Sequence, residues 1–308
     1  MDNLGAHMSI SGGVQNAIAE GTNVGAQVIQ IFSKSSNQWA AKPLADEDVK
    51  AWLTAWEKSD IWTACVHDSY LINLASPNDE LWEKSIAAFV TELERCALLR
   101  IPYLVMHPGA HMGEGEDAGV HRCADAFNKI CSLTKGNPTQ VLIENTAGQG
   151  TCIGYRFEHI AGILERVAES ERFACCFDTC HALAGGYDFR TAEGYAEMMA
   201  TWDTMIGSDR IKVFHMNDSK KDCCSRVDRH EHIGQGFVGI DAFRYLVNDK
   251  RFFDRPMCLE TPKVENMDET NLATLRELRT PATQKAVEKA VKAAQTAARE
   301  RRQISIKA

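Results

Sequence analysis

The chain has 308 residues, 44% of them hydrophobic and 25% charged, the proportions of a globular protein long enough to bury roughly three-quarters of its unfolded surface without disulfides. Its apolar runs fall short of the ~18 residues of a membrane span, and the N-terminus does not read as a secretory signal, so collagenous, disordered, transmembrane and small secreted classes are excluded. The net charge of −8, from 34 basic and 42 acidic residues, excludes a protein that coats nucleic acid indiscriminately, because phosphate contacts need Lys and Arg.

In chain order, the first short apolar run is LGAHMS at 4–9, followed by AQVIQIF at 26–32 and WTACV at 62–66. YLVM at 103–106, VLI at 141–143 and FACCF at 173–177 come next, then IKVF at 211–214 and PMCL at 256–259. Each is too short for a helix and has the composition of a strand buried on both faces. Segments with helical spacing and charge separate them, among them 46–58, 79–99, 118–134, 157–170 and 191–205. Such βα units predict an α/β fold, a single-domain (β/α)₈ TIM barrel over 1–280 whose active site lies at the C-terminal ends of its strands. A doubly wound sheet would need a glycine-rich phosphate turn after the first strand, and Ser11-Gly12-Gly13 is too short and misplaced for one.

After Pro281 the chain turns to Ala, Lys, Gln, Glu and Arg. Residues 281–308 are predicted to form an extra basic helix with a thin apolar stripe of Ala286, Val287, Ala290, Val291 and Ala294. It either packs lightly on the barrel or projects. Its seven basic and two acidic residues give +5 and leave −13 for the rest. A solvated helix is favoured over a nonspecific DNA-binding one. The eleven cysteines form no C-x-x-C pair, which argues against a zinc ribbon. The adjacent pairs Cys175-Cys176 and Cys223-Cys224 suit a disulfide framework poorly, so reduced, mostly buried thiols in a cytoplasm are expected.

What stands at the strand ends carries the chemistry. Strands three to eight end in His67, His107, Glu144, Asp178, His215 and Glu260. A lone His at a strand end is ordinarily a structural residue; six successive His, Asp or Glu are not explained that way. His181 follows Asp178 by three residues, and Asp228 and His230 stand two apart, on one side of an extended segment. Nine such groups exceed one four-coordinate zinc and suit two or three metals.

The stretches HDSYLINLA at 67–75, DTCHALAGGYD at 178–188 and HMNDSKKDCCSRVDRH at 215–230, with HPGAH at 107–111, IENTAGQG at 143–150 and LETP at 259–262, make the chain resemble the endonuclease IV family of apurinic/apyrimidinic-site endonucleases over residues 3–280. The resemblance implies three zinc ions: one on His67, His107 and Glu144; a second on Glu144, Asp178, His215 and Glu260; a third on His181, Asp228 and His230. Manganese or iron is the expected substitute at some of these positions. It implies hydrolysis of double-stranded DNA 5′ to abasic sites, leaving a 3′-hydroxyl and a 5′-deoxyribose phosphate, in base excision repair, with 3′-end cleaning as a candidate second activity. A metal-bridged hydroxide would be the nucleophile, with Glu144, Glu260 and His107 as catalytic groups. A monomer acting in the cytoplasm at the nucleoid, with no membrane partner, is expected.

For DNA contact the resemblance offers Gln38 and Tyr70, with Asn37 and Asn73, while Arg229, between two ligands, is read as a phosphate contact or a surface ion pair. Tyr70 has the alternative of a core aromatic, and Trp39 is expected to pack under its loop. Two departures stand out. Asn37 occupies a place where relatives often carry an Arg long enough to fill the gap in a base stack, and Cys224 stands where a small, Gly-like residue is expected. His7 is balanced between site rim and core. The rival reading is a sugar isomerase or epimerase on a similar barrel with one or two metals; a non-catalytic metal- or DNA-binding protein is the third.

Overall fold

The computed structural model describes residues 2–307. In chain order its elements are β1 (Leu4–His7), α1 (Asn16–Asn23), β2 (Val28–Phe32), α2 (Asp46–Glu57), β3 (Thr63–His67), α3 (Asp79–Leu98), β4 (Tyr103–Met106), α4 (Glu116–Leu133), β5 (Gln140–Glu144), α5 (Phe157–Arg166), β6 (Phe173–Asp178), α6 (Thr179–Gly185), α7 (Ala192–Met205), β7 (Ile211–His215), β8 (Asp218–Ser219), β9 (His230–Glu231), α8 (Gly239–Val247), β10 (Met257–Leu259), α9 (Met267–Glu277) and α10 (Pro281–Lys307). Eight parallel strands close in the order β1-β10-β7-β6-β5-β4-β3-β2. All eight apolar runs are strands of this TIM barrel, and the five segments with helical spacing are helices. The helix after the fifth strand stops at Arg166 rather than 170, because Val167 turns extended (ψ 133°).

Local chemistry explains the helices. In α3, Asn78 accepts the Leu81 N–H at 2.8 Å and Asp79 and Glu80 open the first turn, where acids favour the helix dipole. Its Trp82, Ile86, Phe89 and Leu93 recur at helical spacing and are buried against the barrel.

Strand parity decides where the site lies. Two sets of buried side chains alternate along the strands. Leu4, Ala6, Ile29, Val66, Leu104, Ile143 and Phe177 belong to the large cluster shared with the helices. Val28, Cys65, Val105, Leu142, Ala174, Cys176, Val213 and Cys258 form a separate small cluster, which is the barrel lumen. On β1 the lumen position is Gly5, where a Cβ would meet the Val28 carbonyl oxygen at 1.7 Å. Moving two residues on from the last lumen residue of each strand reaches the same face one layer higher. That layer is His7, Gln30, His67, His107, Glu144, Asp178, His215 and Glu260.

The C-terminal helix does not project. It packs along α7, burying Val287 and Val291 with Ala290 and Ala294 beside them, whereas Ala286 of the expected stripe is exposed. The helix stays on the barrel because a continuous apolar stripe gains more from α7 than from water. For Arg299, Arg301, Arg302 and Lys307 only the backbone of the helix is described. Val287→Ala is expected to cost about 1–2 kcal/mol of unfolding free energy by urea titration; no change would mean the helix is not held there.

Candidate metal centre

Six successive strands, β3 to β7 and β10, each contribute a His, Asp or Glu to the upper lumen layer, and their ligand atoms converge. His67 Nε2 and His107 Nε2 each lie 3.4 Å from Glu144 Oε2. His215 Nδ1 is 3.0 Å from Glu144 Oε1, 3.1 Å from Glu260 Oε2 and 3.9 Å from Asp178 Oδ2. The remaining ligand candidates arrive on two further elements. Asp178 caps α6 by accepting the His181 N–H at 2.7 Å, which turns His181 toward the cluster. The β8–β9 hairpin pairs Ser219 with His230 and folds the intervening loop over the barrel mouth. Asp228 Oδ2 then sits 3.3 Å from His181 Nε2, and Asp228 Oδ1 sits 3.4 Å from His230 Nε2.

Four groups of ligand atoms lie close enough to share an ion: His67, His107, Glu144; Glu144, Asp178, His215, Glu260; Asp178, His181, His230; and Glu144, Cys176, His215. The first two have the membership that the family resemblance implies, with Glu144 common to both. In the third, Asp178 joins His181 and His230, and Asp228 stands beside both imidazoles.

The donors fit metals by a direct test. Glu144 Oε2, His181 Nε2 and His230 Nε2 are buried without any hydrogen-bond partner, an arrangement that costs roughly 1–3 kcal/mol per atom unless something fills it. In four of the imidazoles the other ring nitrogen is committed elsewhere, which fixes the ring as a ligating His requires. His67 Nδ1 meets the Asp68 carbonyl at 2.9 Å, His181 Nδ1 the Asn145 carbonyl at 2.9 Å, and His230 Nδ1 the Glu260 carbonyl at 3.1 Å. His215 donates from Nε2 to Gln30 Oε1 at 2.7 Å, leaving Nδ1 for the cluster.

Electrostatics point the same way. Burial disfavours charge on Glu144, but the His215, His107 and His181 imidazoles hold its carboxyl well below the usual range. Burial likewise opposes charge on Glu260, and His215 overcomes it. Burial would lower His67, yet Glu144 and Glu260 carry it up to about 9. His181 is raised against burial by the Asp178 and Asp228 carboxylates, and His215 by its acidic neighbours, the Cys176 thiol first and the Glu144 and Glu260 carboxylates after it. In the metal-free chain protons stand in for cations.

Several site residues were not legible in the sequence. Gln30 bridges His215 and Glu260, donating to Glu260 Oε1 at 2.5 Å. Asn217 donates to Asp178 Oδ2 at 2.6 Å and accepts the Glu260 N–H at 2.7 Å. Lys220 lines the open cleft of about 380 Å³ above the cluster with Tyr70, Arg229 and Pro262. A polar residue inside the apolar run AQVIQIF was the signal for Gln30. Asn217→Ala is expected to weaken metal affinity about 10–100-fold, measured by competition with a chromogenic chelator; unchanged affinity would remove Asn217 from the centre's support.

The recognition candidates sit at the rim. Tyr70 is 63% exposed, which excludes the core alternative, and its ring meets Phe32 edge-on at 5.4 Å. Gln38 is exposed and Asn37 lies beside it on the same loop. That loop is held from below by a buried charge cluster: Lys34 Nζ donates to the Gln38 carbonyl at 2.8 Å and pairs with Glu92 at 3.5 Å, while Arg95 donates to the Lys42 carbonyl at 2.8 Å. Trp39 packs against the core under Lys84, 4.4 Å from its ring. Asn73 is committed internally: its amide donates to the Ala110 carbonyl and accepts the Ala110 and Ala75 N–H groups, pinning two loops together. Arg229 is exposed and donates to the Asp228 carbonyl at 2.7 Å. His7 belongs to the lumen layer, 3.1 Å from Gln30 Nε2.

Cys224 has φ +61°, the left-handed region in which glycine is unstrained. That explains the expectation of a Gly-like residue there. Cys224→Gly is predicted to stabilise the protein by about 0.5–1 kcal/mol in urea unfolding; destabilisation would show that the thiol contributes more than the strain costs.

Residues 18–293 match the family described as a xylose isomerase-like TIM barrel. A protein of Chloroflexus aurantiacus named probable endonuclease 4 is 56% identical over 280 residues, covering 90% of this chain and 98% of its own length. The chain belongs to the endonuclease IV family. The crystal structure of endonuclease IV from Thermus thermophilus superposes with a TM-score of 0.80 at 37% identity, over 90% of this chain and 98% of that one. A D-tagatose 3-epimerase-like protein superposes at 0.69 over 90% of this chain and 97% of that one, but with 16% identity it shares the fold alone. The sugar-epimerase reading thus loses its footing, while membership of the endonuclease IV family spans the whole barrel.

Proposed function

We propose that the protein hydrolyses double-stranded DNA at the phosphodiester 5′ to abasic sites, leaving a 3′-hydroxyl and a 5′-deoxyribose phosphate. The observation that carries this reading is the convergence of nine His, Asp and Glu side chains, orphaned ligand atoms among them, on one open mouth of a barrel in the endonuclease IV family.

Three divalent cations, zinc first among them, would be held by His67, His107 and Glu144; by Glu144, Asp178, His215 and Glu260; and by His181, Asp228 and His230. Bound there, they supply positive charge against the phosphate and lower the pKa of water toward neutrality. The chain's own residues do the rest. Glu260 lines the cleft, and Glu144, fully buried against His67 and His107, holds the side chains beside it; together they would restrain whatever approaches the phosphorus. His107, 30% exposed and the most accessible of the first group, meets the substrate side. Lys220 and Arg229 on the rim are positioned to hold flanking phosphates. Tyr70 and Gln38, on separate loops, are suited to enter the minor groove and select a sugar that lacks its base, which unstacks at low cost. Asn37 is too short to fill the vacated base stack, so the gap is left to Tyr70 and its neighbours.

The test is a cleavage assay on a duplex oligonucleotide with one abasic site, with metal content measured on the same sample by plasma emission. About three zincs per chain, activity abolished by chelation and restored by zinc, and a product with a 3′-hydroxyl are expected. Full activity after metal removal, or a single metal per chain with sugar epimerisation, would refute the proposal.

A further inference from the structure

The chain contains two Cys-Cys dipeptides, and the fold gives them opposite geometries. Cys175 and Cys176 lie on β6, so they point to opposite faces of the strand, one toward the helices and one into the lumen. Cys223 and Cys224 lie in the loop between β8 and β9, where Cys224 has positive φ and the two thiols come together. Their sulfurs are 3.8 Å apart. Cys224 is exposed and Cys223 partly so, whereas eight of the other nine cysteines are buried.

We propose that Cys223 and Cys224 form a chelating dithiol site for a soft, thiophilic centre with two valences to fill, of which monosubstituted trivalent arsenic is the chemical class. Two thiolates on one trivalent arsenic, which is pyramidal with S–As–S angles below tetrahedral, stand somewhat closer than the ~3.8 Å of a tetrahedral centre with bonds of about 2.3 Å, so the two sulfurs, 3.8 Å apart, need close by only a small side-chain rotation. Soft sulfur donors select soft centres. The pair contributes two donors and joins no group of three or more potential ligands among the described residues, so zinc, which takes three or four protein ligands, is not its natural occupant. An arsenic centre that already carries one organic group needs only two. The step balances without an oxidant: an organoarsenic oxide and two thiols exchange the As=O bond and two S–H bonds for two As–S bonds, releasing one water, and arsenic stays trivalent.

The site bears on the metal centre through the backbone. Cys224 N–H donates to the Leu183 carbonyl at 3.2 Å and Arg226 N–H to the Ala184 carbonyl at 3.1 Å, docking the loop on α6, which carries His181. Cys224 Sγ also overlies Gly186 at the end of α6, where a Cβ would lie 3.3 Å from it. The same loop runs on into Asp228 and His230. An arsenical bridging the two sulfurs places its organic group against this junction.

The experiment treats the metal-loaded full chain with phenylarsine oxide and reads intact mass under native conditions. One phenylarsenic group per chain, removed by a dithiol but not by a monothiol, is expected; Cys223→Ser and Cys224→Ser should lose it, and Cys152→Ser should keep it. Cys224→Gly, which relieves the backbone, is a second variant that should also lose the adduct. No adduct on the unaltered chain, or an adduct that persists in Cys224→Ser and Cys224→Gly, would overturn the site. A second arm, which rests on the nuclease reading, follows strand cleavage. It should fall at least about tenfold in the treated chain and stay constant in treated Cys224→Ser. An adduct without loss of cleavage would overturn the coupling to the metal centre and leave the mass result standing, so the two readings fail separately.

Discussion

Glu144→Gln is expected to abolish abasic-site cleavage, by at least about 10³-fold, or ~4 kcal/mol of transition-state stabilisation. The substitution keeps volume and shape but removes the charge around which four imidazoles gather. One oxygen faces His67 and His107, and the other faces His215 and His181. Glu144 is fully buried, so no water can replace the lost charge. Two of the three proposed ions lose a shared ligand at once, and metal content should fall with activity. His230→Ala should leave the first two groups intact and remove one ligand of the third, so it separates metal count from fold. Wild-type cleavage by Glu144→Gln with its full metal complement would exclude a central role for this carboxylate. A Tm lowered without loss of metal would assign it a structural role instead.

The second large effect is a pH-dependent gap between metal-loaded and metal-free stability. In the metal-free chain His67 is raised from its ordinary value of 6.5 to about 9. A raised pKa stabilises the fold fully below about 6.5 and ceases to do so as pH rises through about 9. For His67 this amounts to at most about 3 kcal/mol. Glu144 and Glu260 are held low, so their contribution is present above about pH 4.5 and is lost only under acid. The metal-free cluster is thus most favourable between about pH 4.5 and 6.5. Cations compete with those protons, so metal uptake should tighten as pH rises toward about 9 and should release protons. The difference in Tm between loaded and metal-free protein is expected to widen steadily from about pH 6 to about pH 9. A constant difference over that range would mean the imidazoles do not exchange protons for metal.

These outcomes follow from a layer of side chains whose membership was partly legible beforehand. His67, His107, Glu144, Asp178, His215 and Glu260 were readable because short apolar runs each ended in a residue with no place in a hydrophobic core. His181 was readable from its spacing to Asp178, and Asp228 and His230 from theirs to one another. Gln30 was not, because AQVIQIF holds two amides, Gln27 and Gln30, and the run does not say which of them faces lumen, helix or solvent. Asn73 illustrates the reverse. It sits in a recognisable stretch, but its amide is consumed by Ala110, 37 positions away, a contact that no local pattern announces. The tail helix could have projected or packed on the strength of its alanine-rich stripe; only the presence of α7 beside it decided.

The sequence alone determined the kinds of ligand, the strand ends that bear them and the family to which their order belongs, because strand alternation and composition are local properties. Tertiary structure decided which ligand atoms meet and which nitrogen each imidazole presents. Those depend on closure of the barrel, which brings together Glu144 and His215 from 71 positions apart, and Gln30 and Glu260 from 230. Parity puts each side chain on a face within two residues; only the closed ring of eight strands makes those faces meet around one cluster.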